Sequence, residues 1–218
     1  MDKNKHWLCF DGKFMWLLNR IEEWPLGYWR FILRGNRGCL KIFTHLTTRE
    51  KSLLFTLALE LPQSNCIVEL GSYLGASSCF LAAAALENSG RLFCVDTWQN
   101  DGMSEGPRDT YQQFLSNTLR FKEVIVPIRK RSEEAALNFH PDAIDLLFVD
   151  SDHNYEAVVR DLYAWLPKTR PGAWLLMHDS GWAEGVKRAI QEIVLPLQVN
   201  KPKVLPNLYA VRVDWHKR

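Results

Sequence analysis

The chain has 218 residues, of which 47% are apolar, so it is long enough to bury a large core and lacks the composition of a disordered protein. Its 27 lysines and arginines against 25 aspartates and glutamates leave a net charge of +2, which argues against nucleic-acid binding by charge and favours a small or weakly charged ligand. The five cysteines are an odd set without C-x-x-C spacing, which indicates free thiols in a reducing compartment and hence a cytoplasmic protein.

The first segment, residues 1–44, mixes aromatic side chains with arginines. Its opening sequence, MDKNKHWLCFDGKF, lacks the apolar core of a signal peptide, and no window of the chain has the roughly 18 apolar residues of a membrane span. Phe14, Leu17 and Ile21 have helical spacing. We therefore predict a helical extension over 1–44 that packs on a main domain over 45–218. A substrate lid, a homodimer contact and a membrane-surface helix are alternatives that the composition does not decide.

From residue 47 onward, helical and strand-like patterns alternate. Thr47 stands three residues before Glu50, as in a capping box, and predicts the start of a helix. Nearly continuous apolar runs predict strands over 66–70, 91–98, 123–128, 144–150 and 173–179. Helices are predicted between them, over 77–87, 109–119, 132–138, 155–166 and 185–194.

The order of these elements predicts the fold class. Apolar runs of this kind are typical of strands that are covered on both faces in a parallel sheet. Right-handed crossovers would then build an α/β, Rossmann-like doubly wound sheet. After the last helix, LQVNKPKVLPNLYAVRVDW indicates two strands around Pro206 and Asn207. We therefore predict a mostly parallel sheet that ends in an antiparallel C-terminal hairpin.

The stretch VELGSYLGASS, residues 68–78, predicts a ligand site at the end of the first strand. Gly71 permits a tight turn, Gly75 permits close approach at the helix start, and Ser77 supplies a hydroxyl. The nicotinamide motif G-x-G-x-x-G is not met because Tyr73 replaces the middle glycine and would obstruct a pyrophosphate. A nucleoside ligand without a diphosphate is therefore favoured over the nucleotide of an oxidoreductase.

Asp96 ends the second strand and lies 25 positions after Gly71, close to the spacing at which an acidic side chain binds ribose hydroxyls. Trp98, two residues later, could cover a flat base. Taken singly, the first is better explained as a solvated carboxylate and the second as a packing aromatic. Together with the glycine turn, they favour a nucleoside site.

At these motifs the chain resembles class I S-adenosylmethionine-dependent methyltransferases. The segments VELGSYLGASS, VDTW and IDLLFVDSDHNYEAVVRDLYAWLPKTRPGAWLLMHD, with the terminal hairpin, are most similar to small-molecule O-methyltransferases of the catechol and caffeoyl-coenzyme A type and to bacterial relatives acting on sugars and antibiotics. The resemblance covers about residues 45–218 and implies S-adenosylmethionine as the cofactor. The cofactor-binding residues that it implies are Glu69, Gly71, Tyr73, Gly75, Ser77, Asp96, Trp98, Ser132 and Asp150.

Within that list, the residues from Glu69 to Ser77 would surround the methionine part and Asp96 would hold the ribose. Trp98 and Ser132 would border the adenine, and Asp150 would face the reaction centre. Ser132 also precedes two glutamates, which independently predicts a helix N-cap.

Acidic and imidazole side chains end the fourth and fifth strands. The fourth strand is followed by Asp150, Asp152 and His153, and the fifth ends in His178 and Asp179. If the two strands are neighbours, these groups converge at one rim. An imidazole that titrates near neutrality is a suitable general base, and the resemblance assigns that role to His153. We therefore predict Asp150, Asp152 and His153 as catalytic residues.

The resemblance also implies a divalent ion held by an aspartate at position 150 and by an Asp-Asn or Asp-Asp pair after the fifth strand. Here the pair is His178 and Asp179. Magnesium prefers oxygen ligands, so the histidine either shifts the preference toward manganese, iron or zinc or means that no metal is needed. Asp150, His178 and Asp179 are accordingly the candidate ligands for magnesium or manganese.

The expected function is methyl transfer to a small molecule, at a hydroxyl oxygen. One alternative is a non-catalytic binding or assembly protein that keeps the cofactor fold. Another is methylation of nucleic acid or protein, for which the RKR run at 129–131 is the compact basic feature, although such a run is usually a solvated strand end.

Overall fold

A computed structural model of the chain describes residues 24–100 and 106–217. The residues with predicted helical spacing, Phe14, Leu17 and Ile21, lie outside the described residues. The helices are α1 (Trp24–Leu33), α2 (Thr48–Leu59), α3 (Ala76–Glu87), α4 (Tyr111–Thr118), α5 (Ser132–Ala136), α6 (Tyr155–Trp165), α7 (Glu184–Ala189) and α8 (Leu195–Leu197). The strands are β1 (Cys66–Leu70), β2 (Arg91–Asp96), β3 (Ile125–Arg129), β4 (Ile144–Val149), β5 (Thr169–His178), β6 (Lys203–Leu205) and β7 (Leu208–Val213).

One seven-stranded sheet has the order β3-β2-β1-β4-β5-β7-β6. Strands β1 to β5 pair in parallel, whereas β7 pairs antiparallel with both β5 and β6. The predicted α/β, Rossmann-like doubly wound sheet with a C-terminal antiparallel hairpin is confirmed. Because the chain winds outward from β1 in both directions, the carboxyl ends of β1 and β4 flank the crevice in which such sheets bind ligands.

The apolar runs form strands because helices cover both faces of the sheet. All six residues of β4 are buried, as a central strand requires. On one face α2 and α3 supply a core that contains Phe55 and Phe80, and on the other α6 supplies one that contains Trp165. The Thr47 capping box that starts α2 is confirmed, since the side chains and backbone amides of Thr47 and Glu50 bond reciprocally.

Several element boundaries differ from their predictions, and two of them do so for local reasons. β5 begins at Thr169 rather than at 173, so it includes Pro171 and Gly172, which lie outside the strand predicted from the sequence. A shift of register in the pairing with β4 accommodates these two residues. β2 ends at Asp96 rather than at 98, because Trp98 has a left-handed backbone with φ of 53°.

The described part of the N-terminal extension lies against the main core. Phe31 of α1 is fully buried and stacks on Phe80 of α3, with ring centroids 3.8 Å apart. The division between 1–44 and 45–218 stays a prediction. Within residues 24–100 and 106–217, none of the helices has the length and apolar composition that crossing a membrane requires.

Candidate active site

A cavity of about 1070 Å³ opens at the carboxyl ends of β1, β2, β4 and β5. Residues 43–46, which lead into α2, form part of its wall. Most of the predicted site residues line the cavity: Gly71, Tyr73, Ser77, Asp96, Ser132, Asp150, Asp152, His153, His178 and Asp179. Three others, Glu69, Gly75 and Trp98, lie outside its lining.

The glycine turn is pressed against the end of β4. Gly71 has φ of 82°, and a Cβ at this position would lie 2.1 Å from the carbonyl oxygen of Asp150. The amide of Asp150 donates to the carbonyl of Leu70 at 2.9 Å. The turn therefore requires glycine here, and its backbone fixes the start of the loop that carries Asp150.

Asp96 holds the same turn from the side of β2. One carboxylate oxygen accepts from the backbone N–H groups of Ser72 and Tyr73, at 2.9 and 2.8 Å, and the other accepts from that of Trp98 at 2.6 Å. These bonds stabilise the left-handed backbone of Tyr73, whose φ is 44°. Asp96 thus shapes the floor of the cavity, while its contact with a ribose stays a prediction.

Trp98 lies beneath the cavity rather than in its wall, in contrast to the predicted contact with an adenine base. Its ring is fully buried and lies 4.8 Å from both Tyr111 and Phe114, measured between centroids. Its indole N–H donates to the carbonyl of Tyr73 at 3.0 Å. Burial among aromatic side chains with a satisfied N–H is a favourable environment for tryptophan, and it gives Trp98 a packing role here.

Glu69 and Gly75 support the turn from within the protein. The Glu69 side chain is fully buried and accepts a hydrogen bond from the hydroxyl of Ser78, and burial raises the pKa of this carboxyl. Gly75 precedes α3 with φ of 86°, and a Cβ there would lie 2.5 Å from the Thr118 side chain. Both residues therefore position the cavity without lining it.

Ser132 is the first residue of α5 and lines the cavity, while the N-cap is Arg131 rather than the predicted Ser132. Its hydroxyl accepts from the indole N–H of Trp165 at 2.8 Å. Nearby, the hydroxyl of Ser151 donates to the buried carboxylate of Asp161 at 2.5 Å. Burial raises the pKa of Asp161, whose carboxylate lines the cavity although sequence reasoning did not single it out.

The charged groups that end β4 and β5 meet at the rim because the two strands are parallel neighbours. His153 Nε2 lies 2.6 Å from Asp179 Oδ2. His178 Nδ1 lies 3.0 Å from Asp150 Oδ1 and 3.3 Å from Asp179 Oδ1. The predicted convergence of these four side chains is thus what the structure shows.

Two residues that sequence reasoning missed complete the surroundings of Asp179. The indole N–H of Trp182 and the side-chain amide of Asn207 both donate to Asp179 Oδ1 at 2.8 Å. Burial would raise the pKa of Asp179, but hydrogen bonds with His153 and His178 hold it well below its usual range. The bond to Asp179 in turn raises the pKa of His153, against an opposing effect of burial.

His178 is buried behind this pair and faces a third carboxylate. Its Nε2 lies 3.8 Å from Glu50 Oε2 and 3.3 Å from the side-chain nitrogen of Asn207. Burial opposes protonation of the ring, but hydrogen bonds with Asp150 and Asp179 and the nearby carboxylate of Glu50 outweigh it and raise the pKa of His178 to about 12. The capping-box signal identified Glu50 as a helix-start residue but not as a neighbour of His178.

Asp152 organises the loop that presents His153. Its Oδ1 accepts from the backbone N–H groups of His153 and Asn154, at 2.7 and 2.9 Å. This side chain is exposed and turns the backbone in the manner of short acidic residues in loops. The predicted catalytic role of Asp152 stays a prediction.

Comparison with known proteins places this geometry in a family. A family model described as a methyltransferase domain matches residues 68–180, just over half of the chain. An uncharacterized protein of Sinorhizobium fredii, y4gI, is 34% identical over 117 residues, and the match covers 52% of this chain and 13% of that protein. An uncharacterized protein of Acanthamoeba polyphaga mimivirus, R132, is 27% identical over 146 residues, covering 62% of this chain and 61% of that protein.

Solved structures share the fold at low identity. The O-methyltransferase TomG from Streptomyces achromogenes, solved with S-adenosylmethionine, has a TM-score of 0.59 at 19% identity over 77% of this chain and 80% of its own. An O-methyltransferase from Bacillus cereus, solved with S-adenosylhomocysteine, has a TM-score of 0.59 at 16% identity over 85% and 90%. The family model matches more than half of the chain, so the chain belongs to the methyltransferase domain family. The segment that it matches, residues 68–180, contains the glycine turn, Asp96, Asp150, His153, His178 and Asp179.

Proposed function

We propose that the protein transfers a methyl group from S-adenosylmethionine to a hydroxyl oxygen of a small-molecule acceptor, with His153 as the general base. The observation that carries this proposal is the pairing of His153 Nε2 with Asp179 Oδ2 at 2.6 Å, beside Asp150 at the rim of the cavity. Membership of the family supports methyl transfer, and the similarity in fold to two O-methyltransferases, TomG and the Bacillus cereus enzyme, favours oxygen as the atom that is methylated.

The residues present fit the cofactor. The cavity is at the upper end of the volumes at which proteins enclose small ligands, which leaves room for a nucleoside and an acceptor together. Gly71, Tyr73 and Ser77 would hold the methionine part, and Asp96 and Ser132 the ribose and adenine parts. When bound, the cofactor supplies a methyl group on a positively charged sulfur.

His153 and Asp179 form an arrangement that can remove a proton from the acceptor. Asp179 accepts from Nε2 of His153, so the neutral ring keeps its lone pair on Nδ1 for the acceptor proton. The carboxylate then stabilises the imidazolium that results. Trp182 lies against the ring of His153, with centroids 5.0 Å apart, and restricts its orientation. The base is therefore oriented before the acceptor arrives, as proton transfer at a fixed position requires.

The proposal is tested first by calorimetry with S-adenosylhomocysteine and with a nicotinamide dinucleotide as competitor. We expect the first to bind and the second not to bind. A homocysteine-release assay over phenols, sugars and natural-product alcohols then searches for the acceptor, and the product is examined by mass spectrometry for a methyl group on oxygen. Cofactor binding without turnover on any acceptor would favour the binding or assembly protein instead, and salt-sensitive RNA binding would favour a nucleic-acid substrate.

A further inference from the structure

Three of the rim side chains lie close enough together for a metal ion. One ligand atom from each of Asp150, His178 and Asp179 can be chosen so that all lie within 4.8 Å of one another. Proximity is only the first requirement, because each ligand must also direct a free lone pair at the ion. The hydrogen bonds of these side chains decide whether such lone pairs are free.

Asp179 accepts hydrogen bonds on both oxygens, and the lone pairs of Oδ1 are fully engaged. Its two oxygens lie within hydrogen-bond distance of four ring or amide nitrogens among the described residues, and a carboxylate offers about four lone-pair positions. The nitrogens and their distances are His153 Nε2 at 2.6 Å, Trp182 Nε1 at 2.8 Å, Asn207 Nδ2 at 2.8 Å and His178 Nδ1 at 3.3 Å. Three of these nitrogens face Oδ1 and the fourth, that of His153, faces Oδ2, so an ion at Oδ1 would have to displace a donor, and Asp179 offers an ion at most one position on Oδ2.

The hydrogen-bond network also assigns the tautomer of His178. The backbone N–H of Gly181 donates to Asn207 Oδ1 at 3.2 Å, which leaves the side-chain nitrogen of Asn207 as a donor. That nitrogen faces His178 Nε2 at 3.3 Å, so in the neutral ring Nε2 accepts and the hydrogen is on Nδ1. A doubly protonated ring carries a hydrogen on Nδ1 as well. In both forms this N–H points to Asp150 and Asp179, and Nδ1 has no lone pair for a metal.

The residues present therefore do not fit the divalent ion that the resemblance implies. We propose that the Nδ1–H group of His178 takes the place of that ion between Asp150 and Asp179, and that the protein holds its rim together without a metal. The proposal deepens the proposed function, on which it rests, because it makes alignment of the acceptor the work of protein side chains alone. It also accounts for the histidine where the resembling enzymes have an aspartate.

The decisive variant is His178→Asp. It removes the N–H donor and adds a carboxylate beside those of Asp150 and Asp179. The three carboxylates then form a set of oxygen ligands of the kind that magnesium and manganese bind. Glu50 lies 3.8 Å from the imidazole ring that the substitution removes, and its carboxylate would add to the negative charge there. We expect this variant to gain metal binding. His178→Asn is the matched control, since it also removes the imidazole but adds no charge.

The experiment measures the metal content of the purified wild-type protein by mass spectrometry and then the thermal unfolding of chelator-treated proteins with Mg²⁺ or Mn²⁺ alone. We expect no stoichiometric metal in the wild type and no change in its Tm. For His178→Asp we expect a Tm that rises with the logarithm of the ion concentration, and for His178→Asn none.

Stoichiometric metal in the wild type, or a metal-dependent rise in its Tm that Asp150→Asn removes, would overturn the proposal. So would a folded His178→Asp protein that gains no ion binding. Should that variant fail to fold, Mn²⁺ titration of the wild type followed by electron paramagnetic resonance decides, because bound manganese there contradicts the proposal. None of these measurements needs cofactor or acceptor. Failure of the proposed function would instead appear as absent S-adenosylhomocysteine binding in the same wild-type preparation.

Discussion

His153 and Asp179 come from loops at the ends of different strands, yet their Nε2 and Oδ2 atoms lie only 2.6 Å apart. If this pair forms the base, His153→Ala should lower turnover by about two to four orders of magnitude, the usual contribution of a general base. Affinity for S-adenosylhomocysteine should stay unchanged, because the cofactor would be held mainly at β1 and β2. Steady-state kinetics and calorimetry check this, with the exposed His140→Ala as control. Undiminished turnover in His153→Ala would exclude His153 as the general base.

The pH dependence of the reaction follows from the same pair. Asp179 raises the pKa of His153, and the base must be neutral to accept a proton. Activity should therefore fall as the pH falls through a value above the ordinary histidine pKa of about 6.5. Asp179→Asn removes the charge that raises this pKa. In a plot of kcat/KM against pH, the acidic limb, on which activity rises with pH, should therefore move to lower pH. An identical limb in both proteins would show that a different group is titrating.

Asp96→Ala should weaken cofactor binding more than it slows turnover at saturating cofactor. The structure adds a second effect, since three backbone N–H groups lose the carboxylate that accepts from them. We expect the free energy of unfolding to drop by about 1–3 kcal/mol, as when buried donors are left unpaired. Denaturant unfolding without ligand measures this loss, and calorimetry measures the affinity. Unaltered stability would contradict the structural role of Asp96.

Gly71→Ala and Gly172→Ala separate backbone strain from steric overlap. Both glycines have φ near 80°, but a Cβ at 71 would lie 2.1 Å from a carbonyl oxygen, whereas one at 172 has nothing within 4 Å. Gly172→Ala should therefore lower the free energy of unfolding only by the cost of a left-handed backbone at alanine, about 1–2 kcal/mol. Gly71→Ala should cost clearly more and also abolish binding of S-adenosylhomocysteine. Equal losses in the two variants would mean that the turn can move away from β4.

Glu69→Gln tests the buried carboxyl beneath the turn. Burial raises the pKa of Glu69 in the folded state, so the stability contributed by its protonated form is complete below the unfolded pKa and is lost as the pH rises through the folded value. Glutamine does not titrate. The Tm of the variant relative to the wild type should therefore increase from acidic to alkaline pH. Glu123→Gln, at an exposed position, should show no such trend.

The sequence predicted the sheet and the convergence of the rim residues for the same reason. Apolar runs identify buried parallel strands, and the carboxyl ends of neighbouring parallel strands lie at one edge. What it could not predict depends on how the chain folds back in three dimensions. Asn207 reaches Asp179 only because β7 pairs antiparallel with β5. Trp98 could have faced a base or the core with the same neighbours in sequence, and packing against α4 decided between them.

The place of Asn207 in the turn between β6 and β7 has a consequence during translation. The ribosome releases β1 to β5 first, and with them Asp150, His153, His178 and Asp179. A nascent polypeptide that stops before residue 207 has all four groups, but it lacks the amide that donates to Asp179 and leaves β5 as an unpaired edge. Such edges promote aggregation. A product of premature termination before residue 207 should therefore be both inactive and a substrate for cellular quality control.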